Sequence, residues 1–138
     1  MISTMLSRAS AGLLVLGGLA LLFAPDVILP RLIPGFPVPG VWLGQLVAAA
    51  WLALAILNWL NRGVLLGGIY GRAVVVTNAV FYFVGAIVLL KTVTTRDVPA
   101  ALWIVAVPVA LFAGVYGWLL FRGPIARDFE IHRRAQQP

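Results

Sequence analysis

The sequence predicts an all-α polytopic membrane protein, a four-transmembrane-helix bundle, and three observations carry that reading. Of the 138 residues, 62% are hydrophobic and only 10% are charged, whereas a typical soluble domain carries about 25% charged residues. Mean hydropathy is +1.04. The charges are also clustered, which leaves residues 9–25, 32–61, 73–90 and 98–121 without an ionic side chain. Each of these runs reaches the roughly 17–25 residues that a helix needs to cross the hydrocarbon. A backbone in lipid must satisfy its own hydrogen bonds, so continuous apolar runs become helices, whereas barrel strands would alternate. Residues 1–138 therefore read as a single membrane domain.

The first span is expected at about 9–24, with a core of Ala11–Phe23 that extends back towards Thr4. Arg8 ahead of an apolar run also suits a secretory signal, but no small-x-small cleavage site follows, so a span is the better reading. Next comes PDVILPRLIPGFPVPG, residues 25–40, with five of the nine prolines at positions 25, 30, 34, 37 and 39. Proline at this density removes backbone donors and disfavours helix, so the segment is expected to be extended or to turn repeatedly. Its Val27, Ile28, Leu29, Leu32, Ile33, Phe36 and Val38 would hold it in the interface as an anchor, or over the outer mouth of the bundle as a lid.

The second span, about 41–60, opens with Trp42, which suits an interfacial aromatic belt. The loop NRGVLLGGIYGR has glycines but lacks the G-x-x-x-x-G-K-[ST] pattern of a phosphate cradle. It reads as a tight turn whose Arg62 and Arg72 meet anionic lipid headgroups. The third span is expected at about 73–90. In the following loop, KTVTTRDVP, the residues Thr94, Thr95 and Asp97 are candidate caps for the fourth span, about 100–121. Pro108 should bend that span, because it has no amide hydrogen for the carbonyl of Ile104. A basic tail, 122–138, ends the sequence.

Four spans put both termini on one side together with the loop between the second and third. That side carries seven basic residues (Arg8, Arg62, Arg72, Arg122, Arg127, Arg133 and Arg134) and the other carries three, Arg31, Lys91 and Arg96. The bias predicts both termini in the cytoplasm. It also accounts for the net charge of +6 without nucleic acid.

Several chemistries are excluded. No cysteine is present, which removes thiol relays and thiolate metal sites, and the only histidine is His132. None of the four cores contains Asp, Glu, Lys, Arg or His, and proton-coupled transport usually needs such a group in the membrane. The expectation is a non-enzymatic protein without metal or cofactor. It would bind a hydrophobic or lipid-like molecule, or serve as an accessory or scaffold subunit. A small channel or transporter without buried charges and an enzyme without a recognisable motif are the alternatives.

The polar groups left in the spans are neutral. Gln45 and Asn58 lie in the second, Thr77, Asn78 and Tyr82 in the third. Asn58 and Trp51 are seven apart and share a face; Asn78 and Tyr82, four apart, share another. Asn78 should lie about 9 Å and Tyr82 about 15 Å beyond Arg72, at 1.5 Å per residue. Antiparallel second and third spans would let Asn58 meet Asn78, while Tyr82 would look to a carbonyl, a water or a ligand. Gln45, Trp51, Asn58, Asn78 and Tyr82 are thus the candidate ligand-binding residues; the competing reading is that the amides join helices. Small residues form stripes at Gly40, Gly44 and Ala48 and at Ala106, Ala110 and Gly114. Such stripes let helices approach closely in lipid. The second is expected to pack inside the bundle and the first to serve a homo-oligomer.

The order LLFAPDVILP, then LNWLNRGVLLGGIYGR, then a polar-tinged third helix, resembles small bacterial membrane proteins of the DoxX-like type. The resemblance covers most of the chain and rests on size, four spans and the Gly-Arg loop. It implies a bacterial inner-membrane bundle, sometimes associated with redox or stress complexes, and carries over no catalytic residue.

Overall fold

The computed structural model describes residues 2–64, 66, 69, 71–95 and 97–122. The tail beyond Arg122 and much of the glycine loop lie outside the described residues. Within the described residues five α-helices and one short turn of 3-10 helix follow in order: α1 (Ile2–Phe23), α2 (Pro25–Leu32), the turn Val38–Gly40, α3 (Val41–Leu60), α4 (Arg72–Thr95) and α5 (Ala101–Arg122). Among the described residues, four helices are long and apolar enough to cross a membrane: α1, α3 with its preceding turn, α4 and α5. They are apolar on every side, and large side chains such as Leu16, Ile104, Leu111 and Phe121 remain exposed. A helix hydrophobic all round suits burial in lipid rather than a water-facing surface.

The long helices form two antiparallel pairs. Gly17 lies against Trp51, and Gly18 and Leu21 lie further along α1, against Leu52 and Gly44, so rising numbers in α1 meet falling numbers in α3. Pairing of α4 with α5 is set in the same way by Tyr82 against Phe112 and Gly85 against Val109. Contacts within each pair greatly exceed those between pairs. The ends Ile2, Leu60, Arg72 and Arg122 therefore gather at one end of the bundle.

Three expectations are revised. The first long helix starts at Ile2, so Arg8 lies inside α1, on its exposed side. The proline-rich segment is not all turn: Pro25–Leu32 is helical. Pro25 occupies the first turn, where a missing N–H costs nothing, and only Pro30 removes an internal bond. That helix turns Leu29 onto Leu21 and Ala48, and Leu32 onto the Val93, Leu102 and Ala106 cluster. It thus covers the end of the bundle opposite Ile2, touching α1, α3 and α5. Third, α4 continues to Thr95, so Thr94 lies inside that helix rather than at the start of α5. The Thr94 hydroxyl instead donates back to the Leu90 carbonyl at 2.7 Å.

Both small-residue stripes are seated, wholly or in part, against the chain's own helices. Gly44 and Ala48 are buried within the chain, and a Cβ on Gly44 would come 2.9 Å from Leu29 Cδ1. Gly40, half-buried, faces Phe36. The stripe Gly40–Gly44–Ala48 is therefore packed against α1, α2 and the connecting turn of the same chain. On α5, Ala106 is buried, but a Cβ on Gly114 or Gly117 would meet nothing within 4 Å.

Candidate functional site

Among the described residues six polar side chains are 0% exposed: Ser7 and Ser10 of α1, Asn58 of α3, Asn78 and Tyr82 of α4, and Tyr116 of α5. All lie in the half of the bundle that holds Ile2 and Leu60. Helical spacing brings them there. Ser7 and Ser10 are one turn apart, Asn78 and Tyr82 are one turn apart, and Asn58 comes two residues before the end of α3.

The two amides face each other. Asn58 Nδ2 donates to Asn78 Oδ1 at 2.9 Å, and Asn78 Nδ2 donates to Asn58 Oδ1 at 2.6 Å. Asn78 also donates to the Val74 carbonyl at 2.8 Å, and Asn58 to Ser10 Oγ at 2.9 Å. Ser10 Oγ lies 2.7 Å from the Tyr82 hydroxyl, in a bond either can donate. One continuous network therefore links α1, α3 and α4, and it bridges the two helix pairs beside the apolar cluster that Leu14, Leu54 and Ala55 form with Val75, Ala79 and Tyr82. Buried amides in hydrocarbon are costly when unpaired, and this pairing satisfies both.

Tyr82 is also the centre of an aromatic group. Its ring stacks on Phe112 at 5.0 Å and on Tyr116 at 5.7 Å, and meets Phe81 edge-on at 5.2 Å. Such pairs contribute about 0.5–1.5 kcal/mol each beyond the area they bury. Two hydroxyls in this region, those of Ser7 and Tyr116, have no hydrogen-bond partner among the described residues.

Next to Tyr82, on the side away from the amides, is a partly open cavity of about 170 Å³ between the two pairs. Leu13, Leu14 and Gly17 of α1 line it, with Trp51 of α3, Phe81 and Tyr82 of α4, and Ile104, Val105, Pro108 and Val109 of α5. Trp51 reaches this place because Gly17 has no side chain: a Cβ there would come 2.6 Å from Trp51 Cζ3. A second, larger apolar recess of about 550 Å³ opens outward between α4 and α5, with Ala110, Gly114 and Gly117 along α5 and Val80, Phe83 and Ile87 along α4.

Among the candidates read from the sequence, the structure joins Asn58, Asn78 and Tyr82 in one network and brings Trp51 with Tyr82 to the cavity wall. Gln45 stands apart, exposed on α3. Arg62 closes the end of α3: its guanidinium donates to the Trp59 carbonyl at 2.7 Å and lies 4.6 Å from the Trp59 ring centre. Arg72 is exposed at the first residue of α4. Ser7, Ser10 and Tyr116 are the members that sequence reading missed. The signal was present in the serines at 3, 7 and 10, which mark one buried helical face ahead of the expected core. Among the described residues no three His, Cys, Asp or Glu side chains come together. No family model, curated protein or solved structure matches the chain.

Proposed function

We propose that this is a non-enzymatic integral membrane protein that binds a hydrophobic, lipid-like molecule by taking a ring-sized portion of it between the two helix pairs. The observation that carries the reading is the cavity of about 170 Å³ walled by Trp51, Phe81 and Tyr82. An apolar cavity of about 150 Å³ stays dry and accepts a benzene-sized guest. Aromatic walls with few polar groups are the usual lining of a small-molecule pocket. The cavity borders the exposed Ile104, which gives a bilayer-dissolved molecule a side entrance. The amides, being bonded to each other, serve to hold the pairs in register and do not contact the guest. Sequence charge bias favours both termini in the cytoplasm of a bacterial inner membrane, with Arg62 and Arg72 at the lipid headgroups; the DoxX-like resemblance agrees with that setting.

Native mass spectrometry of protein released from its own membranes tests the reading. The native chain should carry a stoichiometric hydrophobic adduct, and Val105→Phe, which fills the cavity, should lose it. An adduct retained at full occupancy by a folded Val105→Phe variant rejects the cavity as the site. One observation favours a second reading, an accessory or scaffold role: the open recess beside Gly114 and Gly117 admits the close approach of a helix from a partner subunit.

A further inference from the structure

A cation heads the face of α4 along which the outward recess runs. Phe83 follows Arg72 by about three turns and Leu90 by about five, at 3.6 residues per turn, so all three lie on one side of the helix axis. Phe83 and Leu90 line the recess, with Ala79 and Ala86 to one side of that line and Val80 and Ile87 to the other. Arg72, the first residue of α4, is exposed. On α5 the absence of side chains at Gly114 and Gly117 keeps the recess open, since a Cβ on either would meet nothing within 4 Å. Trp118 supplies the only polar side-chain atom among the lining residues. The recess runs from Ala79 to Leu90 on α4 and from Ala110 to Phe121 on α5, about 16 Å along each helix. One leaflet of hydrocarbon is about 15 Å deep, half of the bilayer core. Because α4 and α5 are antiparallel, Trp118 and Phe121 lie towards the Arg72 end, where interfacial aromatic residues belong.

We infer that this recess seats one acyl chain of a glycerophospholipid whose phosphate is bound by Arg72. The site is on the outside of the α4–α5 pair, apart from the ring cavity between the pairs. It rests on the proposed membrane setting, with Arg72 at headgroup level, and not on the ring cavity. An apolar recess of about 550 Å³, one leaflet deep, matches a chain rather than a headgroup. The planar guanidinium fork suits phosphate oxygens, which it can hold with two parallel hydrogen bonds. Chain and phosphate are therefore recognised at separate places on one helix face, and neither half of the lipid satisfies both.

The full chain, stripped of lipid in a neutral detergent, is titrated with three probes and the bound copies are counted by native mass spectrometry. Dioleoyl phosphatidylglycerol is the whole lipid, dioleoylglycerol has the same chains without the phosphate, and glycerol phosphate has the phosphate without the chains. One phosphatidylglycerol should bind ahead of any further copies, roughly fivefold more tightly than dioleoylglycerol at equal mole fraction in the micelle, the effect of one basic side chain at a lipid surface. Glycerol phosphate should not bind. Arg72→Gln should bring the two lipids together, and Arg72→Lys should keep part of the difference. Gly114→Leu, whose side chain enters the recess, should lose the first copy of either lipid. Equal binding of the two lipids by the native chain, a preference that survives Arg72→Gln, or a first copy that Gly114→Leu retains overturns the site. Glycerol phosphate binding as tightly as the whole lipid would remove the chain from it. A lipid-free dimer of the native chain that Gly114→Leu dissociates would give the recess to a partner helix and also overturn it. None of these results touches the ring cavity, whose own test is the adduct that Val105→Phe should lose.

Discussion

Replacing Asn78 by Leu removes three hydrogen bonds while keeping a side chain of similar branched outline. The lost bonds are the donation to Asn58 at 2.6 Å, the donation to the Val74 carbonyl at 2.8 Å and the acceptance from Asn58 at 2.9 Å. The Val74 carbonyl still has its helical partner, so its loss matters little. Asn58 keeps Ser10 as an acceptor for its Nδ2, but its Oδ1 is stranded in a site that is fully buried. An interhelical hydrogen bond in lipid averages about 0.6 kcal/mol and reaches about 1.7. A buried group left without a partner costs about 1–3 kcal/mol. The single change should therefore cost about 1–2 kcal/mol, above the average for one bond, because it both breaks the pair and orphans its partner. Asn58→Leu added to it removes the orphan, so the double variant should be no less stable than Asn78→Leu alone. Reversible unfolding in mixed micelles, run as a double-mutant cycle, measures this. Costs that add to within about 0.5 kcal/mol would mean that the two amides are energetically independent, and would refute the pairing.

The remaining hydroxyls divide by partner: Ser10→Ala should destabilise by about 1–3 kcal/mol because both Asn58 and Tyr82 lose an acceptor or donor, whereas Tyr116→Phe and Ser7→Ala, which remove unpartnered hydroxyls, should be neutral or stabilising in the same assay. Gly44→Leu should destabilise the bundle by forcing Leu29 off α3, seen as easier unfolding at any protein concentration; a change in oligomeric state with unaltered stability would contradict this packing. Gly114→Leu should leave stability within about 0.5 kcal/mol, as a surface change, and should weaken crosslinking to a partner subunit if the α4–α5 recess takes one. Reporter fusions at Gln137 and at Asp97 should report cytoplasm and periplasm respectively, and a periplasmic signal from Gln137 would reverse the orientation.

The bundle itself was legible because lipid leaves few choices: a long uncharged run must be helical, whatever its detailed order. The Asn58–Asn78 pair was legible for a related reason, since a short loop between antiparallel helices brings residues near its two ends together. Tyr82 pairs with Ser10 across 72 positions, and no local spacing predicts which helix supplies such a partner. Gln45 is set apart from the network by helical geometry. It lies six positions before Trp51, about 120° round the helix at 3.6 residues per turn, whereas Asn58 at seven positions returns to the same side. Proline density misled the reading of 25–40, because a proline in the first turn of a helix is favourable, and the apolar face of Leu29 and Leu32 has a core to meet. The stripe on α3 was read as outward because small residues mark close approach without naming the neighbour. Here the neighbour is α1 with the short helix α2, both from the same chain.

The central claim, that a ring binds between the helix pairs beside Trp51 and Tyr82, is tested most directly by where a bound ring reacts. A phenol carrying a diazirine is added to the full chain in its native membranes, irradiated, and the labelled residues are mapped by peptide mass spectrometry with and without excess phenol. The account predicts saturable labelling confined to Leu14, Trp51, Tyr82, Val105 and their neighbours on the cavity wall, suppressed by phenol. Labelling spread over lipid-facing residues such as Leu16 and Phe121, or centred on Gly114 and Ile87 in the α4–α5 recess and indifferent to competitor, would contradict it.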